Sequence, residues 1–257
     1  MEKLIVIAGY GYVGKAIESA LKTQLDVGIV DPIINNSRVY DFNCESVIIA
    51  VATPGALDGS CDVTNIKAVL KDTPTQAPVL IKSTISVEGW REIKQQFPEH
   101  SLTFSPEFLR AKTATEDFLN QKQVYIGGGN TEYWQQLFEQ TINKPSVVVN
   151  AEELIVAKQF RNSFLATKVS FFNQINDLCE CLDLDYEQVR QVVADDDRIG
   201  ESHTMITEER GFGGHCFPKD TEALVYSALH HGCSQNLLQE AIKYNKKIRK
   251  EQSNSIK

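Results

Sequence analysis

The opening stretch MEKLIVIAGYGYVGK constrains the fold more than any other part of the chain. Its apolar run KLIVIA (3–8) leads straight into Gly9, Gly11 and Gly14, and a helical pattern follows over 13–23. In a strand–turn–helix unit, the first glycine permits the tight turn, the second lets a ligand approach the backbone, and the third lets the helix pack on the strand. The stretch therefore predicts a βα unit whose turn and helix N-terminus can hold the pyrophosphate of a dinucleotide.

The second apolar run ends at Asp31, where a carboxylate that binds both ribose hydroxyls is expected. Such a carboxylate would repel a 2′-phosphate, so the sequence favours NAD over NADP, although Arg38 lies close enough along the chain to weaken that preference. The alternative is a glycine turn that binds no ligand. The residues expected to hold NAD are Gly9, Tyr10, Gly11, Tyr12, Val13, Gly14, Asp31, Thr53 and Thr84.

Similar apolar runs recur through the first half of the chain and predict strands. They are DVGIVD (26–31), SVIIAVA (46–52), PVLIKST (78–84), SLTFSP (101–106), QVYIGG (123–128) and NKPSVVVN (143–150). Continuous Val/Ile runs are typical of strands that are buried on both faces of a parallel sheet. Helical patterns lie between several of the runs, for example at 64–72 and 87–96. Residues 1–150 are therefore expected to form an α/β, Rossmann-type domain with a doubly wound parallel sheet.

The pattern changes at about residue 151. Residues 151–182 contain neither Gly nor Pro and keep one apolar face, so they predict a single long helix. Further helices are expected at 186–195, 220–231 and 235–252, and the Gly-rich segment 196–219 is expected to be an extended loop. An all-helical domain over 151–257 would therefore follow the NAD-binding domain.

Composition excludes several classes of function. The net charge of -8 argues against a nucleic-acid partner, because neutralising phosphates requires a basic surface. No apolar run approaches the roughly 18 residues that a membrane span needs, and the N-terminus enters a strand without a signal-peptide layout. The six cysteines are scattered without zinc-type pairing. A cytoplasmic protein with reduced thiols and no membrane partner is expected.

A second glycine-rich stretch, ERGFGGHCFPKD (209–220), allows three interpretations: a metal loop, a structural turn or the nucleophile of an enzyme. His215 and Cys216 are adjacent, which is not a usual two-ligand spacing, so no metal is expected. A lone cysteine is often a small buried apolar residue. However, Lys219 lies nearby, and Asp220 is the expected N-cap of the next helix, so Cys216 would lie just ahead of a helix start that favours a thiolate.

Four further polar residues are candidates for chemistry. Lys158 and Asn162 are four apart and share a helix face, which would be solvated in the ordinary case but here belongs to an unusually apolar helix. Thr84 and Glu107 follow predicted strands, and ligands of open α/β sheets bind beyond the carboxyl ends of the strands. Thr84 could instead cap a helix, with Ser86 as a rival, and Glu107 could be a surface carboxylate.

Several stretches, taken together, resemble the UDP-glucose/GDP-mannose dehydrogenase family. They are VATPGALDGSCDVTNI (51–66), KST (82–84), SPEFLR (105–110), KQFRNSF (158–164), DDRIG (196–200) and GFGGHCFPKD (211–220). They occur in the family's order and span nearly the whole chain. The resemblance implies oxidation of the primary alcohol of a nucleotide sugar to a carboxylic acid with two NAD+ per turnover, and UDP-glucose is the expected substrate. UDP-N-acetylmannosamine and GDP-mannose stay open as substrates.

The resemblance also implies roles for the site residues. Cys216 would capture the aldehyde as a thiohemiacetal and then form a thioester that water hydrolyses. Lys158 would stabilise the developing oxyanion or transfer protons, Asn162 would orient the sugar, and Asp220 would hold a catalytic water. Glu107 would act in proton transfer or thioester hydrolysis, and Thr84 would hold a water near the sugar. The expected substrate contacts are Glu107, Phe108, Leu109, Lys158, Asn162, Arg198, Phe212 and Gly213.

Arg198 corresponds to a family arginine that reaches across a dimer interface, so a homodimer through the 151–182 helix is expected. The chain departs from the family at Ala111, where many relatives carry an acidic residue, and His215 is not part of the family motif. It also stops where relatives continue into a second nucleotide-binding domain, so it is expected to be either a trimmed piece or a natural short form. Substrate binding should then be weaker, or the nucleotide should be held by a partner or by the second protomer. The alternatives are a two-electron hydroxyacid-type dehydrogenase, which needs no cysteine, and a non-catalytic NAD-binding module.

Overall fold

The Val/Ile-rich runs form one sheet in the computed structural model, which describes residues 4–249. The strands are β1 (Leu4–Ala8), β2 (Asp26–Val30), β3 (Ser46–Ile49), β4 (Val79–Ile81), β5 (Leu102–Phe104), β6 (Val124–Gly128) and β7 (Ser146–Val148). Their order across the sheet is β2-β1-β3-β4-β5-β6-β7. Every strand predicted from an apolar run is present, so the predicted α/β, Rossmann-type fold is confirmed.

The sheet differs from the prediction in one respect, because it is not parallel throughout. Strands β1 to β5 are parallel, but β6 pairs antiparallel with β5, with Thr103 opposite Gly128 and Phe104 opposite Gly127. Strand β7 is parallel to β6. The physical reason for the error is that a run buried on both faces looks the same in either chain direction, so its apolar pattern carries no information about orientation.

Helices cover both faces of this sheet. They are α1 (Tyr12–Leu21), α2 (Thr64–Asp72), α3 (Val87–Gln96), α4 (Ala114–Asn120) and α5 (Thr131–Ile142), with short 3-10 turns at Val39–Asp41 and Ala111–Thr113. Successive residues of β1 point to opposite faces: Val6 packs with Ile66 and Trp90, whereas Ile7 packs with Ile17 and Trp134. Both faces are therefore buried, which explains the continuous apolar runs.

The second half of the chain is helical, as predicted. It contains α6 (Ala151–Cys181), α7 (Tyr186–Ala194), α8 (Phe217–His230) and α9 (Asn236–Ile248). The predicted end of the last helix, at 252, lies outside the described residues. No helix within residues 4–249 is both long enough and apolar enough to cross a membrane.

The chain divides into two compact units between Lys158 and Gln159, inside α6. The sequence placed the boundary at residue 150, where the helix begins. Residues Ala151, Leu154 and Ile155 are buried in the core on one face of the sheet. The first turns of α6 therefore belong to the first unit, because helix continuity and core packing need not change at the same residue.

Candidate functional site

The glycine turn of the first unit has the geometry that a dinucleotide requires. Gly9 has φ +96°, and a Cβ there would overlap the backbone of Ala50. A Cβ on Gly14 would overlap the Gly9 carbonyl, whereas a Cβ on Gly11 would meet nothing within 4 Å. Gly11 is also the N-cap of α1, whose first turn contains no acidic residue. Two glycines therefore close the turn, and the third leaves space beside the positive end of a helix dipole, which fits a pyrophosphate.

The carboxylate of Asp31 lies at this turn. Its Oδ2 accepts a hydrogen bond from the Tyr10 N–H at 2.7 Å, and its Oδ1 accepts one from the Ile33 N–H at 2.9 Å. The position just beyond β2 is the one expected for a ribose-binding carboxylate. The remaining expected cofactor contacts on α1 are Tyr12, which is exposed, and Val13, which is half-buried.

In the sequence, Arg38 weakened the preference for NAD over NADP. In the structure, Arg38 binds a neighbouring carboxylate. Its Nε donates to Asp72 Oδ2 at 2.7 Å, its second nitrogen also contacts Asp72, and its guanidinium lies 4.7 Å from the centre of the Tyr40 ring. Asp72 raises the pKa of the Arg38 guanidinium. Because a neighbouring carboxylate already binds the guanidinium, the geometry favours NAD at Asp31.

The two threonines expected near the cofactor are linked. Thr53 Oγ1 donates to the Thr84 carbonyl at 2.6 Å. The N-cap of α3 is Ser86, whose Oγ accepts a hydrogen bond from the Gly89 N–H at 3.0 Å. Thr84 is therefore not a helix cap, and the structural alternative considered for it is excluded.

Glu107 is buried, so its interpretation as a surface carboxylate is wrong. Its Oε2 lies 2.9 Å from the Nζ of Lys82, and its Oε1 accepts a hydrogen bond from the Phe108 N–H at 3.0 Å. Sequence reasoning did not select Lys82. The available signal was a lysine directly after the buried strand β4, at the edge of the sheet where Glu107 was already expected. The next expected substrate contact, Leu109, is half-buried against the core.

Lys158 and Asn162 are both 8% exposed, which excludes a solvated helix face. Lys158, at the end of the first unit, has its Nζ 5.6 Å from the centre of the Phe108 ring. In the second unit, Asn162 Nδ2 donates to Asp220 Oδ2 at 2.5 Å, and Asp220 is only 1% exposed. Lys219 Nζ lies 3.9 Å from the other oxygen of Asp220. The second unit therefore contains a buried hydrogen-bonded pair, Asn162 and Asp220, with Lys219 beside it.

The helix after the cysteine loop begins earlier than expected, so the prediction that Asp220 is its N-cap is wrong. Helix α8 begins at Phe217, with Cys216 as the N-cap and Pro218 in the first turn. Pro is favoured there, because its missing N–H is not needed in the first turn of a helix. The Asp220 N–H donates to the Cys216 carbonyl at 2.9 Å. The half-buried Cys216 thus lies at a helix N-terminus, where a negative charge is stabilised.

The glycines of this loop also admit side chains from α9 and from Arg249, the residue after it. Gly211 and Gly214 have φ +57° and φ +77°. A Cβ on Gly211 would overlap the Asn245 side chain, and one on Gly213 would overlap the guanidinium of Arg249. Of these glycines, Gly213 is the one expected from the sequence to contact the substrate. At Gly211 and Gly213 the close approach is made by the protein itself, and a substrate contact at Gly213 stays a prediction.

A clamp of two asparagines holds the start of the loop. Phe212 is buried, its N–H donates to Asn245 Oδ1 at 2.6 Å, and its carbonyl accepts a hydrogen bond from Asn245 Nδ2 at 3.0 Å. Asn173 Oδ1 accepts from the Gly211 N–H at 3.2 Å and from Arg210 Nε at 3.1 Å. Helices α6 and α9 therefore set the backbone path that leads to Cys216.

Two residues that the sequence singled out in the second unit, Arg198 and His215, are exposed. Arg198 binds the neighbouring Asp196, with Nε 2.9 Å from Oδ1, and lowers the pKa of that carboxyl. His215 is exposed, and the structure assigns it no role. Within residues 4–249, no three His, Cys, Asp or Glu side chains are grouped as metal ligands would be.

Two family models match the chain. The model of the UDP-glucose/GDP-mannose dehydrogenase family NAD binding domain matches residues 36–145, and the model of the same family's central domain matches residues 152–247. The two matched ranges are separated by residues 146–151, which include β7 and the first residue of α6.

Several similar curated proteins are UDP-glucose 6-dehydrogenases. A UDP-glucose 6-dehydrogenase of Pseudomonas aeruginosa is 33% identical over 242 residues, which cover 86% of this chain and 52% of that protein. A UDP-glucose 6-dehydrogenase of Streptococcus pneumoniae is 30% identical, over 94% of this chain and 72% of that protein. The chain spans about half the length of several curated relatives that it matches.

Solved structures show the same fold. A UDP-glucose dehydrogenase of Pyrobaculum islandicum superposes with a TM-score of 0.82 at 26% identity, covering 96% of this chain and 68% of that one. The 3-hydroxyisobutyrate dehydrogenase of Mycobacterium tuberculosis has a TM-score of 0.73 at 18% identity and covers 96% of this chain and 94% of its own. The layout of sheet and helices is therefore shared with a different class of dehydrogenase.

Proposed function

Because this chain belongs to the UDP-glucose/GDP-mannose dehydrogenase family, we propose that it oxidises UDP-glucose to UDP-glucuronate with NAD+ in two hydride transfers. The observation that carries the proposal is the position of Cys216 at the N-terminus of α8, one turn before a buried Asp220 that binds Asn162. A nucleophile is what separates a four-electron from a two-electron alcohol dehydrogenase, because an aldehyde must be captured before it can lose a second hydride.

The first unit is the NAD-binding domain. The turn at Gly9 to Gly14 would hold the pyrophosphate against the N-terminus of α1, and Asp31 would accept hydrogen bonds from the ribose hydroxyls. Thr53, which follows β3, donates a hydrogen bond to the carbonyl of Thr84, which follows β4. When bound, NAD+ supplies the hydride acceptor for both oxidations.

The second unit supplies covalent chemistry. Cys216 sulfur forms a bond to the aldehyde carbon and gives a thiohemiacetal, whose oxidation leaves a thioester. Attack by water on the thioester carbon then breaks the C–S bond, and the sulfur leaves with the electron pair while the product carries the new oxygen. Asp220 and Asn162 form a buried polar pair one turn from the sulfur. We assign Asp220 to the water and Asn162 to orientation of the sugar.

Two buried groups of the first unit fit proton and charge handling. Lys158 is a buried cation that would stabilise the developing oxyanion or transfer protons. Glu107 is a buried carboxylate that would accept a proton from the hydrolytic water, and Thr84 would hold a water near the sugar. The further substrate contacts that we propose are Phe108, Leu109, Arg198, Phe212 and Gly213.

We further propose a homodimer that uses α6. Large apolar side chains on this helix are exposed at intervals of four and seven residues, and Phe160 is 62% exposed. The set is Val156, Phe160, Phe164, Phe171 and Leu178. An apolar stripe of this kind is typical of an interface rather than of a solvated face. Arg198 would reach the substrate of the neighbouring copy. A monomer in size-exclusion chromatography with light scattering would contradict the dimer.

No disulfide links the six cysteines, all of which lie in the described part of the chain. Reduced thiols, including the proposed nucleophile, fit the reducing conditions of the cytoplasm, where we place the protein.

The decisive experiment counts NADH. UDP-glucose, UDP-N-acetylmannosamine and GDP-mannose are each supplied with excess NAD+, and NADH and sugar acid are measured per sugar consumed. We expect two NADH with UDP-glucose, and no sugar acid from Cys216→Ser. The exposed Cys233→Ser is the matched control and should behave as the wild type. One NADH per sugar would indicate the two-electron alternative. The 3-hydroxyisobutyrate dehydrogenase of Mycobacterium tuberculosis shares this fold. No NADH with any sugar would favour a binding module.

A further inference from the structure

Lys82 is a buried lysine to which the proposed reaction has assigned no task. It follows β4 directly, and its side chain is 1% exposed. A buried ammonium is unfavourable unless it is paired and hydrogen-bonded. Its Nζ donates to Ser105 Oγ at 3.0 Å and to the Pro106 carbonyl at 3.4 Å, and it forms an ion pair with Glu107 Oε2 at 2.9 Å. All three partners follow β5, the neighbouring strand of the sheet.

The pairing restrains Glu107 at both of its oxygens. Oε2 is held by Lys82, and Oε1 accepts the Phe108 N–H at 3.0 Å. The ring of Phe118 lies 5.9 Å from Lys82 Nζ and covers the ammonium with apolar surface. The carboxylate therefore has a defined orientation, and its counter-charge is supplied by the protein rather than by solvent.

Stability alone does not account for this pair. Replacing a buried ion pair by apolar side chains of similar volume is often neutral or stabilising, because neither charge then has to be desolvated. An apolar pair at the ends of β4 and β5 would serve the fold equally well. What such a pair could not provide is an oriented carboxylate that accepts a proton.

We propose that Lys82 is a positioning residue that holds Glu107 as an oriented carboxylate for the hydrolysis of the Cys216 thioester, an inference that rests on the proposed function. In that step, the water oxygen bonds to the thioester carbon and Glu107 takes one water proton. The C–S bond breaks, its electron pair leaves on the Cys216 sulfur, and the proton on Glu107 is then returned to the sulfur or to solvent. No electrons are gained or lost overall.

The test uses the full chain with NAD+ and UDP-glucose and compares Lys82→Met, Glu107→Gln and the double variant. If Lys82 acts through Glu107, each single variant should lower kcat by about 100-fold, the range of general-base contributions, with KM changed by no more than about twofold. Rapid quenching and intact-protein mass spectrometry should show the sugar-nucleotide acyl adduct on Cys216. The double variant should be no slower than the slower single variant.

Two further variants separate positioning from folding. Lys67→Met removes the lysine of an exposed pair with Glu92 in the same unit, and it should retain wild-type kcat and accumulate no adduct. If Lys82→Met unfolds, Lys82→Gln keeps an amide donor for Ser105 and Pro106 and removes the charge, and it should accumulate the adduct.

Three results would overturn the inference. If a folded Lys82→Met or Lys82→Gln protein hydrolyses the thioester at the wild-type rate, the inference is overturned but the proposed function stays intact. A double variant whose loss is the product of the single losses would show that Lys82 acts independently of Glu107. A wild-type chain that makes no sugar acid would overturn the proposed function, and the role of Lys82 in it.

Discussion

The clamp between Asn245 and Phe212 provides a sharp test of how the cysteine loop is held. Replacing Asn245 by Ala removes the acceptor of the Phe212 N–H and the donor to its carbonyl, whose bonds are 2.6 Å and 3.0 Å long. Both Phe212 and Asn245 are buried, so neither backbone group regains a solvent partner without local opening. An unpaired buried polar group costs about 1–3 kcal/mol. We therefore expect a loss of about 2–4 kcal/mol in the free energy of unfolding of the second unit.

Urea unfolding followed by far-ultraviolet ellipticity measures this loss. With a slope of about 2 kcal/mol per molar urea, the midpoint should fall by about 1–2 M. The matched control is Asn236→Ala, which removes an exposed asparagine from the same helix and should shift the midpoint much less. The two tryptophans, Trp90 and Trp134, lie in the first unit, so their emission reports on that unit separately.

Hydrogen exchange locates the effect. The Phe212 amide should exchange faster in Asn245→Ala, because its N–H loses a buried acceptor. Amides of the first unit, such as those of β1, should be unchanged. If Asn245→Ala and Asn236→Ala have the same midpoint, or if exchange over 209–215 is unaltered, the clamp does not hold the loop and the reasoning fails.

Three other predictions follow from the described contacts. Lys82→Met should destabilise the first unit by about 3–5 kcal/mol, because it leaves the buried charge of Glu107 unpaired. Lys82→Met combined with Glu107→Leu should recover most of that loss, because no buried charge then remains. Tryptophan emission during urea unfolding measures the stability of both variants. Arg38→Ala should leave the ratio of NAD+ to NADP+ affinity unchanged, because Arg38 already binds Asp72. Asp31→Asn should reduce the preference for NAD+. Calorimetric titration with each cofactor measures both ratios, and a changed ratio in Arg38→Ala or an unchanged ratio in Asp31→Asn would contradict the prediction. Burial raises the pKa of Tyr133 and of Tyr186 to about 12, from an ordinary value of 10.0. The stability that these tyrosines contribute is therefore present below pH 10.0 and is lost as the pH rises through about 12. Near-ultraviolet absorbance of tyrosinate against pH should show a late phase that coincides with loss of ellipticity, and a single phase near 10.0 would contradict this.

Local pattern was sufficient for most of the architecture. The apolar runs predicted every strand, and the absence of Gly and Pro over 151–182 predicted α6 to within a residue. These signals are local, because burial on both faces and helix continuity are written in consecutive residues. The glycine turn was equally accessible, since Gly9 and Gly14 occupy positions where any Cβ would overlap backbone. The burial of Lys158 and Asn162 followed from the apolar helix that contains them.

Tertiary structure decided what depends on partners far apart in the chain. The direction of β6 follows from the path of the chain after β5, which the apolar pattern does not record. The start of α8 at Phe217 was misjudged, because Asp220 is a favourable cap by residue type whereas Pro218 is tolerated in the first turn. Local preference allowed both starts, and packing selected one.

The sequence by itself thus determined the two kinds of unit, the dinucleotide turn and the cysteine at the end of a glycine-rich loop. Only the tertiary structure brought Lys82 to Glu107 across neighbouring strands and Asn245 to Phe212 across 33 residues of chain. The physical reason is that a residue's tendency to be buried can be inferred from its neighbours in sequence. Which atom pairs with a buried charge or a buried amide depends on the fold.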